Sequence, residues 1–140
     1  MRVALVHNVL RGGGHRRMRE QVLRLDADVV EFCLEGAYAV TERPRRTRWK
    51  PVAERLPRAL RPVPRYADHL RLRRAWRSLA ADVDRFAPDV VLANSCHITQ
   101  APGALLSITR PSVYFCDEPR RVDYEPVSYT HLTLPTTERV

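Results

Sequence analysis

The chain has 140 residues, of which 44% are hydrophobic, so it suits one domain with a substantial apolar core. No apolar run is long enough to cross a bilayer and the N-terminus lacks the layout of a signal peptide, which predicts a cytoplasmic protein. The net charge of +8 is local, because residues 43–77 hold 13 basic and two acidic side chains. A basic character spread over the whole domain is therefore excluded.

The first half of the chain alternates apolar runs with an amphipathic segment. We expect a strand over Arg2–His7, a helix over His15–Leu25 and a strand over Asp28–Leu34. Residues 37–64 contain five prolines and are expected to be irregular, with at most a short helix around Val52–Leu56.

The second half contains the clearest helix, over Tyr66–Phe86, whose apolar stripe consists of Leu72, Trp76, Leu79, Val83 and Phe86. A strand over Asp89–Ala93, a short helix over Thr99–Ile108 and a buried strand over Ser112–Cys116 follow. Strands separated by helices favour right-handed crossovers, which predicts an α/β fold with a Rossmann-like parallel sheet and flanking helices.

The three cysteines are odd in number and widely spaced. No C-x-x-C pair includes Cys33, Cys96 or Cys116, so we expect reduced, partly buried thiols without a redox couple or a metal site.

A Gly-rich turn follows the first predicted strand. Gly12, Gly13 and Gly14 would let backbone N–H groups approach a ligand, and the positive end of the next helix favours a phosphate. The dinucleotide fingerprint G-x-G-x-x-G is not met, and a plain tight turn is the alternative. His15 either caps its helix or contacts the phosphate.

Two histidines follow predicted strands at the same edge of the sheet. His7 ends the first strand, where a structural hydrogen-bonding role is the alternative to a site role. His97 follows the third predicted strand, and a surface loop is its alternative. After the strand over Ser112–Cys116, an acidic turn brings Asp117, Glu118, Arg120 and Arg121 to the carboxyl edge, where open α/β sheets keep their sites.

The segment R-P-S-V-Y-F-C-D-E-P-R-R-V-D-Y-E-P over Arg110–Pro126 resembles the N-terminal half of two-domain GT-B glycosyltransferases with a subfamily-4-like N-terminal domain. Many members have Y-Y-C-H-E-P or F-H-E-P here, and T-Q-A-P at Thr99–Pro102 is a second matching block. The resemblance implies an incomplete N-terminal half of a GT-B fold that transfers a sugar from a nucleotide-sugar donor with retention. No metal or other cofactor is implied.

The resemblance also implies site roles. Gly12–Gly14 and His15 would lie near the donor diphosphate, whereas His7, His97, Glu118, Arg120 and Arg121 would contact a glycan or lipid-linked acceptor. Asp117 is the catalytic candidate. Many relatives carry His at this position, whereas an ionised Asp accepts but cannot donate a hydrogen bond.

Residues 127–140 differ in composition from the rest and resemble one reading frame of an adapter used in DNA library preparation. We expect residues 1–126 to be a partial acceptor-side domain, inactive without a donor domain, and 127–140 to be a non-native tail; a native polar tail is the alternative. A second hypothesis is a complete small α/β protein that binds a nucleotide or nucleic acid.

The basic segment Arg43–Arg77 has three interpretations. It is a solvated variable loop, a peripheral contact with the anionic inner face of a membrane, or a nucleic-acid arm. The nucleic-acid interpretation is the least favoured, because no helix-turn-helix, zinc finger or ribonucleoprotein motif accompanies the arginines.

Overall fold

The computed structural model describes residues 1–116, which contain five strands and two α-helices. The strands are β1 (Arg2–Asn8), β2 (Asp28–Leu34), β3 (Arg45–Thr47), β4 (Val90–Cys96) and β5 (Ser112–Tyr114). The helices are α1 (Gly13–Arg24) and α2 (Pro62–Phe86), and short 3₁₀ turns span Ala53–Arg55, Arg58–Leu60 and Gly103–Leu106. No helix in this part of the chain combines the length and the apolar character that crossing a membrane requires.

All strand pairs are parallel, in the order β3-β2-β1-β4-β5. The predicted α/β class and Rossmann-like parallel sheet with flanking helices are therefore confirmed. The strands β2 and β3 lie on one side of β1, whereas β4 and β5 lie on its other side. The strand order therefore reverses between β1 and β4. In open α/β sheets, the crevice at the carboxyl ends of such a reversal is where ligands bind.

The two helices cover opposite faces of the sheet. The stripe of α2 is buried against one face, with Leu79 and Val83 fully enclosed together with Phe32 of β2. On the other face, Met18 of α1 packs against Leu5 of β1. The apolar residues thus follow the period that each element requires, and both layers of the core form.

Four predicted segments differ from the structure, and three of them lie before β5. The irregular region 37–64 contains β3, and α2 begins at Pro62 rather than Tyr66, because proline is tolerated in the first turn of a helix. The helix expected over Thr99–Ile108 is reduced to the 3₁₀ turn Gly103–Leu106. A Cβ at Gly103 would lie 2.8 Å from Trp76, so close packing against α2 determines this segment.

The strand expected to be buried over Ser112–Cys116 is shorter and more exposed. It ends at Tyr114, and Val113 and Phe115 are 56% and 38% exposed. The reason is that β5 is the edge of the described sheet and pairs with β4 alone. Cys33 and Cys96 are buried free thiols, whereas Cys116 is exposed.

Candidate functional site

The Gly-rich turn lies at the carboxyl end of β1 and starts α1. Gly12 is the N-cap residue, with a φ of 166°, an extended conformation that any residue adopts. A Cβ at Gly12 or Gly13 would meet no atom within 4 Å. Neither backbone conformation nor local packing therefore requires glycine at Gly12, and packing does not require it at Gly13. Because these two residues have no side chain, their backbone N–H groups are open to the adjoining solvent space.

A cavity of about 630 Å³ adjoins this turn, and we call it the Gly-turn cavity. Arg11, Arg16, Arg19 and Glu20 line one side, and residues 38–42, which include Glu42, line the other. The N–H groups of the first turn of α1 lack an intrahelical acceptor, and no side chain from the described part of the chain caps them. The N–H groups of the first turn, the helix dipole and an excess of three guanidinium groups over two carboxylates together favour an anion.

His15 does not cap α1. Its Nε2 lies 2.8 Å from the carbonyl oxygen of Ala39, and because a carbonyl only accepts, Nε2–H is the donor. The imidazole is buried and meets the Tyr38 ring edge-on, with 4.6 Å between ring centroids. His15 therefore ties the start of α1 to the loop across the cavity, and its contact with a phosphate stays a prediction.

His7 lies inside the protein and is fully buried. The Val9 N–H donates to Nδ1 at 3.4 Å, so Nε2 carries the proton and donates to Glu31 Oε1 at 2.8 Å. Both ring nitrogens are thus used within the fold. This position matches the structural alternative for His7. Its contact with the acceptor substrate stays a prediction.

The Glu31 carboxylate holds the loop that lines the Gly-turn cavity. It accepts hydrogen bonds from the Val40 N–H, and from the N–H and hydroxyl of Thr41 at 2.6 and 2.7 Å. Burial raises the pKa of Glu31, but the hydrogen bonds from His7, Thr41 and Val40 outweigh it and lower the pKa to about 2. The carboxylate is therefore ionised at neutral pH.

Within residues 1–116, one group of side chains has ligand types suited to a metal. Single ligand atoms of His7, Glu31 and Cys33 lie within 4.8 Å of one another, and Zn²⁺ takes such ligands. However, both nitrogens of His7 and both oxygens of Glu31 are already hydrogen-bonded. Burial, and next the charge of Glu31, raise the pKa of Cys33 to about 12. The group fits an internal network better than an ion.

A second cavity, of about 440 Å³, lies at the strand-order reversal on the α2 side, and we call it the switch-point cavity. Asn8 from β1, His97 and Ile98 after β4, and Trp49 are among its lining residues. His97 Nδ1 lies 2.7 Å from the carbonyl oxygen of Asn8, so Nδ1 is the donor. In the neutral imidazole, Nε2 then keeps its lone pair and can accept a hydrogen bond.

A buried amide lies beside this reversal. The register between β1 and β4 shifts by one residue, so that Asn94 and Ser95 together lie opposite His7, as in a β-bulge. Asn94 is 1% exposed, and within residues 1–116 neither atom of its carboxamide has a hydrogen-bond partner. Such a group costs about 1–3 kcal/mol of stability, and bulges are frequent next to active sites.

The structure separates the predicted site residues. Gly12–Gly14 and His15 border the Gly-turn cavity, His97 borders the switch-point cavity, and His7 is enclosed in the sheet. Asp117, Glu118, Arg120 and Arg121 lie outside the described residues, so their roles stay predictions.

Glu31, Trp49 and Asn94 are not among the site residues predicted from the sequence. For Glu31 a signal existed, a charged residue within the otherwise apolar run V-V-E-F-C-L. Comparison with known proteins finds no matching family model, no matching curated protein and no matching solved structure.

Proposed function

We propose that this chain is the acceptor-side part of a glycosyltransferase that transfers a sugar from a nucleotide-sugar donor to a hydroxyl acceptor with retention. The observation that carries the proposal is the pair of cavities at the carboxyl edge of the sheet. One adjoins an uncapped helix N-terminus with three arginines, and the other contains His97. The E-P-R-R segment and its resemblance support the same assignment.

The donor diphosphate binds at the Gly-turn cavity. The N–H groups of Gly13 and Gly14 and the guanidinium groups of Arg11 and Arg16 neutralise the charge that develops on the departing diphosphate. The nucleotide sugar is a co-substrate, and this charge balance needs no metal. The resemblance implies that a donor domain supplies the contacts with the base and the transferred sugar.

His97 positions the acceptor. Its Nε2 accepts a hydrogen bond from the acceptor hydroxyl, while Nδ1–H stays bonded to Asn8. The hydroxyl oxygen forms a bond to the anomeric carbon, and the bond from that carbon to the diphosphate oxygen breaks. The diphosphate leaves with the electron pair of that bond, and the hydroxyl proton leaves its hydrogen bond with Nε2 and transfers to the departing diphosphate oxygen.

Nucleotide titrations followed by NMR test the donor site. We expect UDP to shift the Gly13 and Gly14 amide signals, and uridine to leave them in place. Arg16→Ala weakens UDP binding about tenfold, because one charge-assisted hydrogen bond is worth about 1.5–3 kcal/mol. Arg24→Ala, an exposed arginine at the other end of α1 that does not line the cavity, is the control. Equal effects of UDP and uridine would refute the donor site.

A phosphate-binding protein without transferase activity is the second candidate, favoured by the Gly-turn cavity alone. The product of the complete gene separates the two. A transferase releases nucleoside diphosphate from nucleotide sugar in an acceptor-dependent manner, and His97→Ala slows release at least tenfold without changing UDP binding. Binding of UDP without any such release identifies the binding protein.

The α2 helix supports a peripheral membrane contact for this enzyme. On its face opposite the core, Val63, Tyr66 and Leu70 are 81%, 69% and 40% exposed, and Arg73 and Arg77 continue the same face. Exposed apolar side chains next to arginines suit an anionic bilayer surface, where each basic residue contributes about 1 kcal/mol.

Vesicle sedimentation tests this contact. We expect binding to phosphatidylglycerol vesicles, little binding to phosphatidylcholine vesicles, and weaker binding after Tyr66→Ser. Leu23→Ser, an equally exposed apolar residue on α1, is the matched control. Equal losses from both substitutions, or binding to both vesicle types, would contradict the assignment.

A further inference from the structure

We propose that the acceptor is a small, uncharged aromatic molecule with a hydroxyl group, and that it binds in the switch-point cavity. This inference rests on the proposed function, because it names the class of acceptor whose hydroxyl reaches His97. It differs from the glycan or lipid-linked acceptor that the resemblance implies. The apolar lining of the cavity, its balanced charges and the fixed orientation of His97 support it.

The apolar lining of the switch-point cavity comes from four separate segments of the chain. Its members are Leu10, Trp49, Pro51, Ala53, Leu72 and Ile98. Leu10 follows β1 and Ile98 follows β4, and they are 55% and 39% exposed, so two aliphatic side chains flank the strand-order reversal. A volume of about 440 Å³ and a mainly apolar lining with a few polar groups are typical of sites for small organic ligands.

The carboxylates nearest the sheet are neutralised within the fold. The acidic and basic lining residues apart from His97 are Glu35, Glu54, Arg65, Asp68 and His69. Lys50 Nζ lies 3.0 Å from a Glu35 oxygen. Asp68 is buried, accepts two backbone N–H groups at 2.8 Å, and lies 3.1 Å from Arg71 Nη1. Glu35 and Asp68 therefore already have their counter-charges.

The two remaining charges of the lining are opposite in sign. Within residues 1–116, Glu54 and Arg65 take part in no ion pair, and both are exposed. One carboxylate and one guanidinium group cancel, so the cavity has no excess charge, in contrast to the Gly-turn cavity. An ionic ligand would lose hydration here without gaining a counter-charge, whereas a neutral ring avoids that cost.

The turn after β4 holds His97 in one orientation. The backbone N–H of His97 donates to the Asn8 carbonyl oxygen at 3.0 Å, and Nδ1–H donates to the same oxygen at 2.7 Å. Cys96 and Gln100 exchange two backbone hydrogen bonds that close the turn. Gln100 has a φ of 67°, in the left-handed region that side chains disfavour, and such residues cluster at functional sites. The position of Nε2 is thus set before an acceptor binds.

An aromatic hydroxyl matches the chemistry available at His97. A phenolic O–H has a pKa of about 10 and gives up its proton more readily than an alkyl hydroxyl. In the neutral imidazole, Nε2 accepts the hydrogen bond from this O–H. The phenolic oxygen forms the bond to the anomeric carbon, and the bond from that carbon to the diphosphate oxygen breaks. The diphosphate takes the electron pair and the phenolic proton, and the product is an aryl glycoside.

NMR titrations of the chain with 2-naphthol, glucose and 2-naphthalenesulfonate test the inference. Of the two isoleucines, Ile98 lines the cavity, whereas Ile108 packs against the core and does not line it. We expect the 2-naphthol ring to shift the Ile98 methyl signals and to leave those of Ile108 in place. Glucose buries little apolar surface and the sulfonate loses hydration, so both bind about tenfold more weakly. Equal shifts of both isoleucines, no shift of either, or tighter binding of glucose or the sulfonate overturns the inference.

Substitutions followed by calorimetry test the contacts. Ile98→Ala weakens 2-naphthol binding about fivefold, because the ring loses apolar contact. Leu106→Ala, an exposed leucine outside the cavity, leaves binding unchanged. His97→Ala weakens 2-naphthol binding about fivefold but does not affect 2-methoxynaphthalene, which has no hydroxyl to donate. Equal losses in Ile98→Ala and Leu106→Ala, or equal effects of His97→Ala on both naphthalenes, would refute the assignment.

The product of the complete gene separates this inference from the proposed function. Release of nucleoside diphosphate from a nucleotide sugar that depends on 2-naphthol supports both. If release depends on a glycan or a lipid-linked acceptor and 2-naphthol does not shift Ile98, this inference fails and the transferase stands. If 2-naphthol shifts Ile98 but no acceptor gives release, the aromatic-hydroxyl site stays and the transferase proposal is removed.

Discussion

The buried carboxylate of Glu31 makes a prediction about stability in acid. The pKa of this group is lowered from an ordinary value of 4.5 to about 2 in the folded chain. A lowered folded-state pKa contributes stability that is fully present above the unfolded value and is lost as pH falls through the folded value. At about 1.4 kcal/mol for each pH unit between the two values, the full contribution is about 3 kcal/mol.

The relevant window therefore lies between about pH 5 and pH 2, and about 2 kcal/mol of the contribution is lost by pH 3. Glu31→Gln removes this titration and places an amide N–H against the Thr41 donors, which costs about 3–5 kcal/mol at pH 7. We expect the difference in unfolding free energy between wild type and Glu31→Gln to shrink by about 2 kcal/mol from pH 7 to pH 3.

Urea denaturation followed by tryptophan fluorescence measures this difference. Glu20→Gln, an exposed carboxylate on α1, controls for general titration. Thr41→Val is a milder variant that removes one hydroxyl donor and lowers the free energy of unfolding by about 1.5–3 kcal/mol. Because this donor lowers the pKa of Glu31, its loss also moves the acid-induced drop in stability to higher pH. A wild-type to Glu31→Gln difference that is constant within about 0.5 kcal/mol between pH 7 and pH 3 would refute the reasoning.

Further predictions concern packing, the buried amide and the thiols. Gly103→Ala forces Cβ against Trp76 and lowers stability by about 1–3 kcal/mol in thermal unfolding, whereas Gly12→Ala changes it by less than about 1 kcal/mol; equal effects would contradict the packing argument. Asn94→Leu removes an unpaired buried carboxamide and raises the unfolding free energy by about 1–3 kcal/mol; a loss would show that the amide is satisfied in solution. At pH 8 a disulfide reagent labels Cys116 rapidly in the folded chain and the two buried thiols only after denaturation; rapid labelling of all three would contradict their burial.

The local elements followed from the sequence wherever a periodic pattern was strong. The stripe from Leu72 to Val83 repeats with the helical period, and the structure buries it as expected. By contrast, β3 has only three residues, R-R-T, inside a basic proline-rich segment. Its extended conformation comes from pairing with β2, in which Phe32 lies opposite Arg45. The sequence of three residues does not indicate which strand they will pair with.

In the candidate site, too, features formed by adjacent residues could be predicted and contacts between distant segments could not. The Gly-rich turn was recognisable because it consists of three adjacent glycines directly after a predicted strand. The contact of Glu31 with Thr41 was not, because it requires the loop after β2 to fold back over the sheet. The same holds for Trp49, which lines the switch-point cavity only because β3 pairs beside β2.

The sequence by itself determined the class of the fold, the register of its helical stripe and the position of the Gly-rich turn. These properties depend on side chains that are near neighbours along the chain. The tertiary structure alone decided the strand order, the enclosure of His7 and Glu31, and the pair of cavities at the carboxyl edge. Those depend on which distant segments meet, and the free energy of such meetings is distributed over many weak contacts rather than encoded in any one motif.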